Sequence, residues 1–219
     1  MPVITIRGQM GSGAPEIGKM LADRLGIDYV DREIISDVAK RIKWSKEGVA
    51  DKESPPGTLL GRIAEALGKA YPMGNGYGGA SLPVYEIGLD DTRYLVGLES
   101  VIKDLASNNA VVIRGRGSQF ILKDSSNAVH VLVVAPEALR VKRIVSEFGL
   151  DEPEAKKQML RSDHSHHEFI KRYFEKDLEN PVNYDIVLNT EKITFEDAVD
   201  IIIQAVRKKA RGPESPAKT

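Results

Sequence analysis

The sequence predicts an α/β fold, a three-layer sandwich in which helices cover both faces of a five-stranded parallel sheet. Three observations carry that expectation. Short β-branched runs alternate with longer amphipathic stretches along the chain. The first of these runs opens directly into a glycine-rich turn and then a helix. One run, Val129–Val134, is apolar at nearly every position, as a strand covered on both faces must be.

Val3–Ile6 reads as the first strand and gives way to Gly8, Gly11 and Gly13. After Pro15, Ile17, Leu21 and Leu25 recur every fourth position with Met20 beside them, and Gly26 follows: a helix with a preset start and a glycine stop. Ile27–Val30 is a second short strand and Glu33–Arg41 a second helix. The periodicity then weakens. Residues 54–57 and 73–79 are rich in turn formers, with one helix expected over Leu59–Ala70 between them, so that about 45–91 reads as an insertion or a surface excursion.

Order returns at Thr92, where Leu95, Leu98, Ile102 and Leu105 trace one face of a helix. Ala110–Ile113 is the third strand and runs into Arg114-Gly115-Arg116-Gly117; Val129–Val134 is the fourth. Pro136 starts a helix carrying Leu139, Arg140, Arg143 and Ile144. Asp151 with Glu154 marks another helix start, and the stretch that follows is strongly charged as far as Glu179, with Phe169, Tyr173 and Phe174 as anchors. Asp185–Leu188 is the last strand. Thr194 and Asp197 cap a final helix whose Ala198, Ile202 and Ala205 face inward, and 211–219 is a tail without the apolar content to fold. The whole is read as a single domain over 1–210.

Composition sets the outer bounds. At 219 residues, 42% apolar and 29% charged, the chain has room for one sizeable core. Its 31 Lys and Arg against 32 Asp and Glu leave almost no net charge, so neither nucleic acid nor an acidic membrane is expected as a partner. With no cysteine, neither disulfides nor thiolate chemistry is available. The opening apolar run is too short for a signal or a membrane span, and a cytoplasmic location is expected.

The glycine turn carries the chemistry. A phosphate needs several donors converging on it, and a glycine-rich turn entering a helix supplies backbone N–H groups without side chains in the way. Gly8, Gly11, Ser12, Gly13 and Ala14 are therefore the candidate phosphate cradle; the alternative is a tight turn that merely packs a helix on a sheet. A phosphotransferase ordinarily has a Lys and then a Ser or Thr after the last glycine, for charge and for Mg²⁺. Here Ala14 and Pro15 stand there, and Pro15 also removes an amide. Arg7, Lys19, Arg114 and Arg116 are the candidates to supply the missing charge.

Ile4-Thr5-Ile6-Arg7-Gly8-Gln9 with Gly11-Ser12-Gly13, then Glu16-Ile17-Gly18, Leu25-Gly26 and Tyr29-Val30-Asp31-Arg32-Glu33, resembles the cytidylate kinase-like family of P-loop proteins. So do Val112–Gly117, Ala135-Pro136 with Arg140 and Arg143, and Tyr184–Thr190, and the likeness is spread over most of residues 3–206. It implies a nucleoside-monophosphate-kinase fold of the P-loop NTPase class, with a monophosphate-binding insertion at about 45–91 and a lid at about 148–180. It implies ATP and Mg²⁺ as cofactors and a nucleoside monophosphate, CMP or dCMP, as small-molecule partner. By the same resemblance the glycine loop holds the donor phosphates, Asp31 lies near the acceptor, Arg116 grips the acceptor phosphate, and Arg140 and Arg143 lie on the helix leading to the lid. In that lid, His164, His166 and His167 stand where arginines are expected.

Residue by residue, Arg114 and Arg116 at the end of a strand are placed to reach phosphate oxygens bidentately, with a structural ion pair as the alternative for Arg114. Asp31 orients a metal-bound water or a ribose hydroxyl, or else caps the next helix. His164 and His167 share a helical face and with Asp163 or Glu168 could ligate a metal; a solvated segment is the plainer reading, and no metal site is assigned. The leading expectation is an ATP-dependent phosphotransferase with catalytic Asp31, Arg116, Arg140 and Arg143, donor binding by Gly8–Ala14, and acceptor binding by Asp31, Arg114 and Arg116. The competitor is a non-catalytic nucleotide- or phosphometabolite-binding protein with a degenerate loop. A monomer and a homodimer, the latter using residues 74–79, both remain open.

Overall fold

The fold is that of a computed structural model, which describes residues 2–31, 34, 58, 59, 61, 63, 92–108 and 110–211. The helix expected over Glu33–Arg41, most of that over Leu59–Ala70, the turn-rich runs at 54–57 and 73–79, and the tail beyond 211 lie outside the described residues. The chain divides into two units, Met1–Tyr29 with Ala110–Thr219, and Val30–Asn109.

The strands are β1 (Val3–Gly8), β2 (Asp28–Val30), β3 (Val111–Arg114), β4 (Ala128–Val134) and β5 (Ile186–Asn189). They form one sheet in the order β2-β3-β1-β4-β5. β1 is central and runs parallel to both neighbours, with Ile4 opposite Val112 and Val129, and Ile6 opposite Arg114 and Val131. The helices are α1 (Ala14–Leu25), α2 (Thr92–Asn108), α3 (Ser118–Ile121), α4 (Glu137–Phe148), α5 (Glu152–Phe174) and α6 (Phe195–Arg211). The α/β parallel-sheet expectation is met, and no helix among the described residues is long and apolar enough to cross a membrane.

Period-2 alternation sorts the side chains of β1. Ile4 and Ile6 enter the core with Ile17 and Leu21 of α1 and Ile202 of α6. Each such fully buried aliphatic side chain stabilises by about 1.5–3 kcal/mol relative to exposure. Thr5 and Arg7 consequently face the other way, and there Thr5 Oγ1 hydrogen-bonds His130 Nδ1 at 2.8 Å.

Helix ends follow the local chemistry. Gly26 closes α1 at φ 63°, and the amides of Gly26 and Ile27 donate to Asp23 and Ala22 oxygens. Asp151 Oδ1 accepts from the Glu154 amide at 2.9 Å, and Thr194 Oγ1 accepts from the Asp197 amide at 3.1 Å, so both expected caps form. Three features differ from the sequence reading. β3 extends to Arg114, a four-residue helix α3 follows Gly117, and the charged stretch after Asp151 is one continuous 23-residue helix that ends where Glu175 turns left-handed at φ 54°.

Candidate functional site

The turn between β1 and α1 is shaped by close approaches that only glycine allows. Gly11 and Gly13 sit at φ 78° and 91°, in the left-handed region. A Cβ on Gly11 would stand 2.6 Å from the Arg140 carbonyl oxygen, and one on Gly13 would stand 2.3 Å from the Phe195 ring. The turn is closed by the Ser12 amide donating to Gln9 O at 3.0 Å, while the Ile17 amide donates to Gly13 O at 3.0 Å. Among the described residues nothing accepts from the amides of Gly11, Gly13 and Ala14. Pro15 in the first turn of α1 has no amide to offer.

The carbonyl side of the same turn is held by two arginines of α4. Arg140, 6% exposed, donates from Nε to Met10 O at 2.8 Å and pairs through Nη2 with Asp163 of α5. Asp163 in turn accepts from the Met10 amide at 3.2 Å. Arg143 donates from Nη1 to Gly11 O at 3.2 Å, Ser12 O at 3.1 Å and Thr190 Oγ1 at 2.8 Å, and from Nη2 to Thr190 O at 3.0 Å. Thr190 Oγ1 donates to Ser12 O at 2.7 Å. Burial lowers the Arg143 pKa from its ordinary value, and Glu16 opposes the shift. With its carbonyls engaged on one side, the planar peptides of the loop turn their amides the other way.

Arg143 also lies over the Phe195 ring at 5.1 Å. Beside this pair opens a cavity of about 320 Å³ lined by Gly11, Gly13, Pro15, Glu16 and Phe195 among others. A guanidinium and an aromatic ring next to open backbone amides can receive a flat ring and the anion attached to it.

At the end of β3 the chain makes a left-handed turn through Gly115, Arg116 and Gly117, at φ 77°, 59° and 68°, closed by the Ser118 amide on Gly115 O at 3.1 Å. A side-chain-bearing residue in that region costs on the order of 1–3 kcal/mol, so the half-buried Arg116 is held there against its own preference. Arg114 is half-buried and pairs in register with Ile6. Asp31 follows β2, in the second unit, and its Oδ1 accepts from the Ile34 amide at 3.1 Å. Gly8 leaves no room for a Cβ, which would meet Ala14 Cβ at 2.2 Å and Ser12 Oγ at 2.5 Å.

Several contacts of the loop escaped the sequence reading, which weighed Asp163 as a possible metal ligand and Thr190 as part of the family resemblance and gave neither a place at the turn. Asp163, Thr190, Phe195 and Glu179 all touch the loop or its braces, and Gln9 Nε2 donates to Glu179 Oε1 at 2.9 Å. Their partners lie far away in sequence, which leaves no local trace. Of the three histidines at 164, 166 and 167, His167 Nε2 lies 3.6 Å from Glu179 Oε1. Among the described residues no group of three or more His, Asp or Glu side chains is arranged to hold a metal.

Comparison with known proteins extends the picture beyond geometry. The chain is 27% identical to a protein named cytidylate kinase from Sulfolobus acidocaldarius, over 94% of each chain. It is 24% identical to one of the same name from Fervidobacterium nodosum, over 95% of this chain and 97% of the other. A crystal structure of an uncharacterized protein from Eubacterium ventriosum shares the fold, with a TM-score of 0.68 at 20% identity over 95% of this chain and 99% of that one. A model of the cytidylate kinase-like family matches residues 3–192, a span that starts with β1 and its glycine turn and runs just past β5 and Thr190. Since that span covers most of the chain and holds the whole sheet, the chain belongs to the cytidylate kinase-like family.

Proposed function

We propose that the protein is an ATP-dependent phosphotransferase acting on a nucleoside monophosphate, CMP or dCMP. One observation carries the reading: the loop's carbonyls are fixed by Arg140 and Arg143 while the amides of Gly11, Gly13 and Ala14 stay open to a phosphate. The family match and the names of the curated relatives support the choice of substrate.

In this reading the donor phosphates rest on those amides and the donor base enters the cavity beside the Arg143–Phe195 pair. Arg140 and Arg143 are positioning residues, because their hydrogen-bonding groups are engaged by the loop and by Asp163 and Thr190. Arg116, with Arg114 one residue before its turn, binds the acceptor phosphate; Asp31 is assigned to the acceptor by the family resemblance. An acceptor phosphate oxygen attacks the γ-phosphorus in line, the bond from that phosphorus to the ADP oxygen breaks, and ADP and a nucleoside diphosphate leave. Segments 45–91 and 148–180 are read as monophosphate-binding insertion and lid.

Mg²⁺ neutralises phosphate charge in reactions of this class. The described residues do not build a cage for it: no cluster of three ligating side chains exists among them, and Pro15 occupies the position of the usual hydroxyl ligand. The ion is accordingly assigned to the nucleotide phosphates, and no side chain is given to it.

The same departure, Ala14 and Pro15, favours a second reading in which the chain binds nucleotide without turnover. A coupled ADP-release assay with ATP, Mg²⁺ and a panel of monophosphates separates the two. The proposal expects substrate-dependent release that Arg116→Ala lowers by about 100-fold or more. Nucleotide-induced thermal stabilisation without ADP release establishes the second reading instead.

A further inference from the structure

Arg7 is the next-to-last residue of β1, immediately before the glycine turn, and only 7% of it is exposed. Its Nε and Nη2 are buried and have no hydrogen-bond partner among the described residues. These two nitrogens form one straight edge of the guanidinium, the edge that a carboxylate or phosphate takes with two parallel hydrogen bonds. A buried donor left unmade is costly, and two on a single charged group call for an explanation.

The groups that act on Arg7 through charge are Tyr184, Asp163, Glu179 and Arg114. The acids among them are taken elsewhere: Asp163 by Arg140 and the Met10 amide, Glu179 by Gln9, with His167 3.6 Å away. Tyr184 donates to Leu178 O at 2.5 Å and accepts from Gln119 at 3.1 Å. Burial pushes its pKa up to about 12, so it remains a neutral phenol and cannot serve as an anionic partner. Arg114 adds a like charge. Burial is also the largest influence on Arg7, whose pKa is lowered from its ordinary value. Ser118 Oγ, two residues beyond Arg116 and next to Gln119, is likewise buried without a partner among the described residues.

We propose that Arg7 is a substrate-binding residue whose Nε–Nη2 edge takes two oxygens of a phosphate group, supplying from β1 the positive charge that the loop lacks at Ala14. The inference rests on the proposed function for the identity of the substrate and on Arg7's own surroundings for the chemistry. A charge kept buried without a partner lowers stability until its ligand arrives.

The test compares the full chain with Arg7→Met, which keeps the length and removes the charge, and Arg7→Lys, which keeps the charge and removes the edge. Calorimetric affinities are measured for CMP, cytidine and ATP, together with melting temperatures. The proposal expects Arg7→Met to melt no lower than the parent and to bind a phosphate-bearing ligand about 10–100-fold more weakly, with cytidine unchanged and Arg7→Lys in between. A loss confined to CMP assigns the edge to the acceptor phosphate, and a loss confined to ATP assigns it to the donor. A lower melting temperature with unaltered CMP and ATP affinities makes Arg7 a structural cation and overturns the proposal. The Nε–H resonance missing from the Arg7→Lys spectrum, followed in the parent during titration with inorganic phosphate, needs no folded methionine variant. A shift without any turnover removes the kinase reading and leaves the phosphate site standing; an unmoved resonance overturns the site whatever the turnover.

Discussion

Gly11→Ala tests whether the loop is held as tightly as its contacts imply. The new Cβ meets the Arg140 carbonyl oxygen at 2.6 Å and the Arg140 carbonyl carbon and Cα at 3.1 Å, all of them backbone of α4 that cannot rotate away. A left-handed alanine costs about 1–2 kcal/mol. Forcing the contact open adds about 1–3 kcal/mol. The sum, about 2–5 kcal/mol, corresponds to a fall in Tm of roughly 5–15 °C for a chain of this size. Gly26→Ala is the internal control, because Gly26 has φ 63° and open space around it, so only the backbone cost of about 1–2 kcal/mol applies. Differential scanning fluorimetry of the two variants isolates the collision as their difference, expected to be at least about 3 °C. ATP affinity should fall in Gly11→Ala, where the cradle is displaced, and stay unchanged in Gly26→Ala. Equal losses of Tm in the two variants would refute the close packing of the loop on α4, and with it the account of why its amides stand open.

Two further outcomes follow from buried polar groups. Burial lowers the His130 pKa below its ordinary 6.5, with Asp185 and the backbone at Leu122 opposing and Lys209 assisting, so between the two values the unfolded chain binds more protons than the folded one. The stability held by neutral His130 is therefore complete above about pH 6.5 and is lost as pH falls through the folded value; urea titrations at several pH values should show that limb, and His130→Gln should flatten it. Asp163→Asn leaves the guanidinium of Arg140, whose side chain is 7% exposed, without its counter-charge. The expected cost is about 3 kcal/mol by urea denaturation, and a loss under about 1 kcal/mol would reduce the pair to the level of a surface contact.

The sequence was most informative where structure is local. Alternation in Val3–Ile6, the glycines at 8, 11 and 13, the four-residue spacing of α1 and the caps at Asp151 and Thr194 each report a preference that a few neighbouring residues decide. The partners of the arginines were not legible. Arg140 finds Asp163 23 residues away and Met10 130 away, and Arg143 finds Thr190 47 away. Helical spacing could place both on one helix and say nothing of what they touch. Arg7 was legible as one of four cations that could supply the loop's missing charge, whereas its burial, to 7% exposed, was not, because no local pattern reports it. The left-handed Arg116 was equally hidden, since nothing in a Gly-Arg-Gly run says that the middle residue will join its neighbours there.

The arrangement of arginines also bears on how a P-loop can dispense with its lysine. Charge reaches a phosphate only from a cation that is not already matched, and here Arg140 is matched by Asp163 while Arg143 binds carbonyls and is partly offset by Glu16. Those two arginines therefore act on a ligand through geometry, by fixing which way the loop amides point, and their removal should loosen every nucleotide equally. Losing an interaction that is the same in ground and transition states raises KM and leaves kcat alone. Arg7 and the strained Arg116 stand apart, one buried without a hydrogen bond along an edge and the other held in an unfavourable conformation at a strand's end. In the proposed function, strain and desolvation at these two positions are relieved by binding, and differential stabilisation of a transferring phosphoryl group is expected from them. Separating KM from kcat at positions 7, 116, 140 and 143 thus distinguishes the residues that build the cradle from those that act on what lies in it.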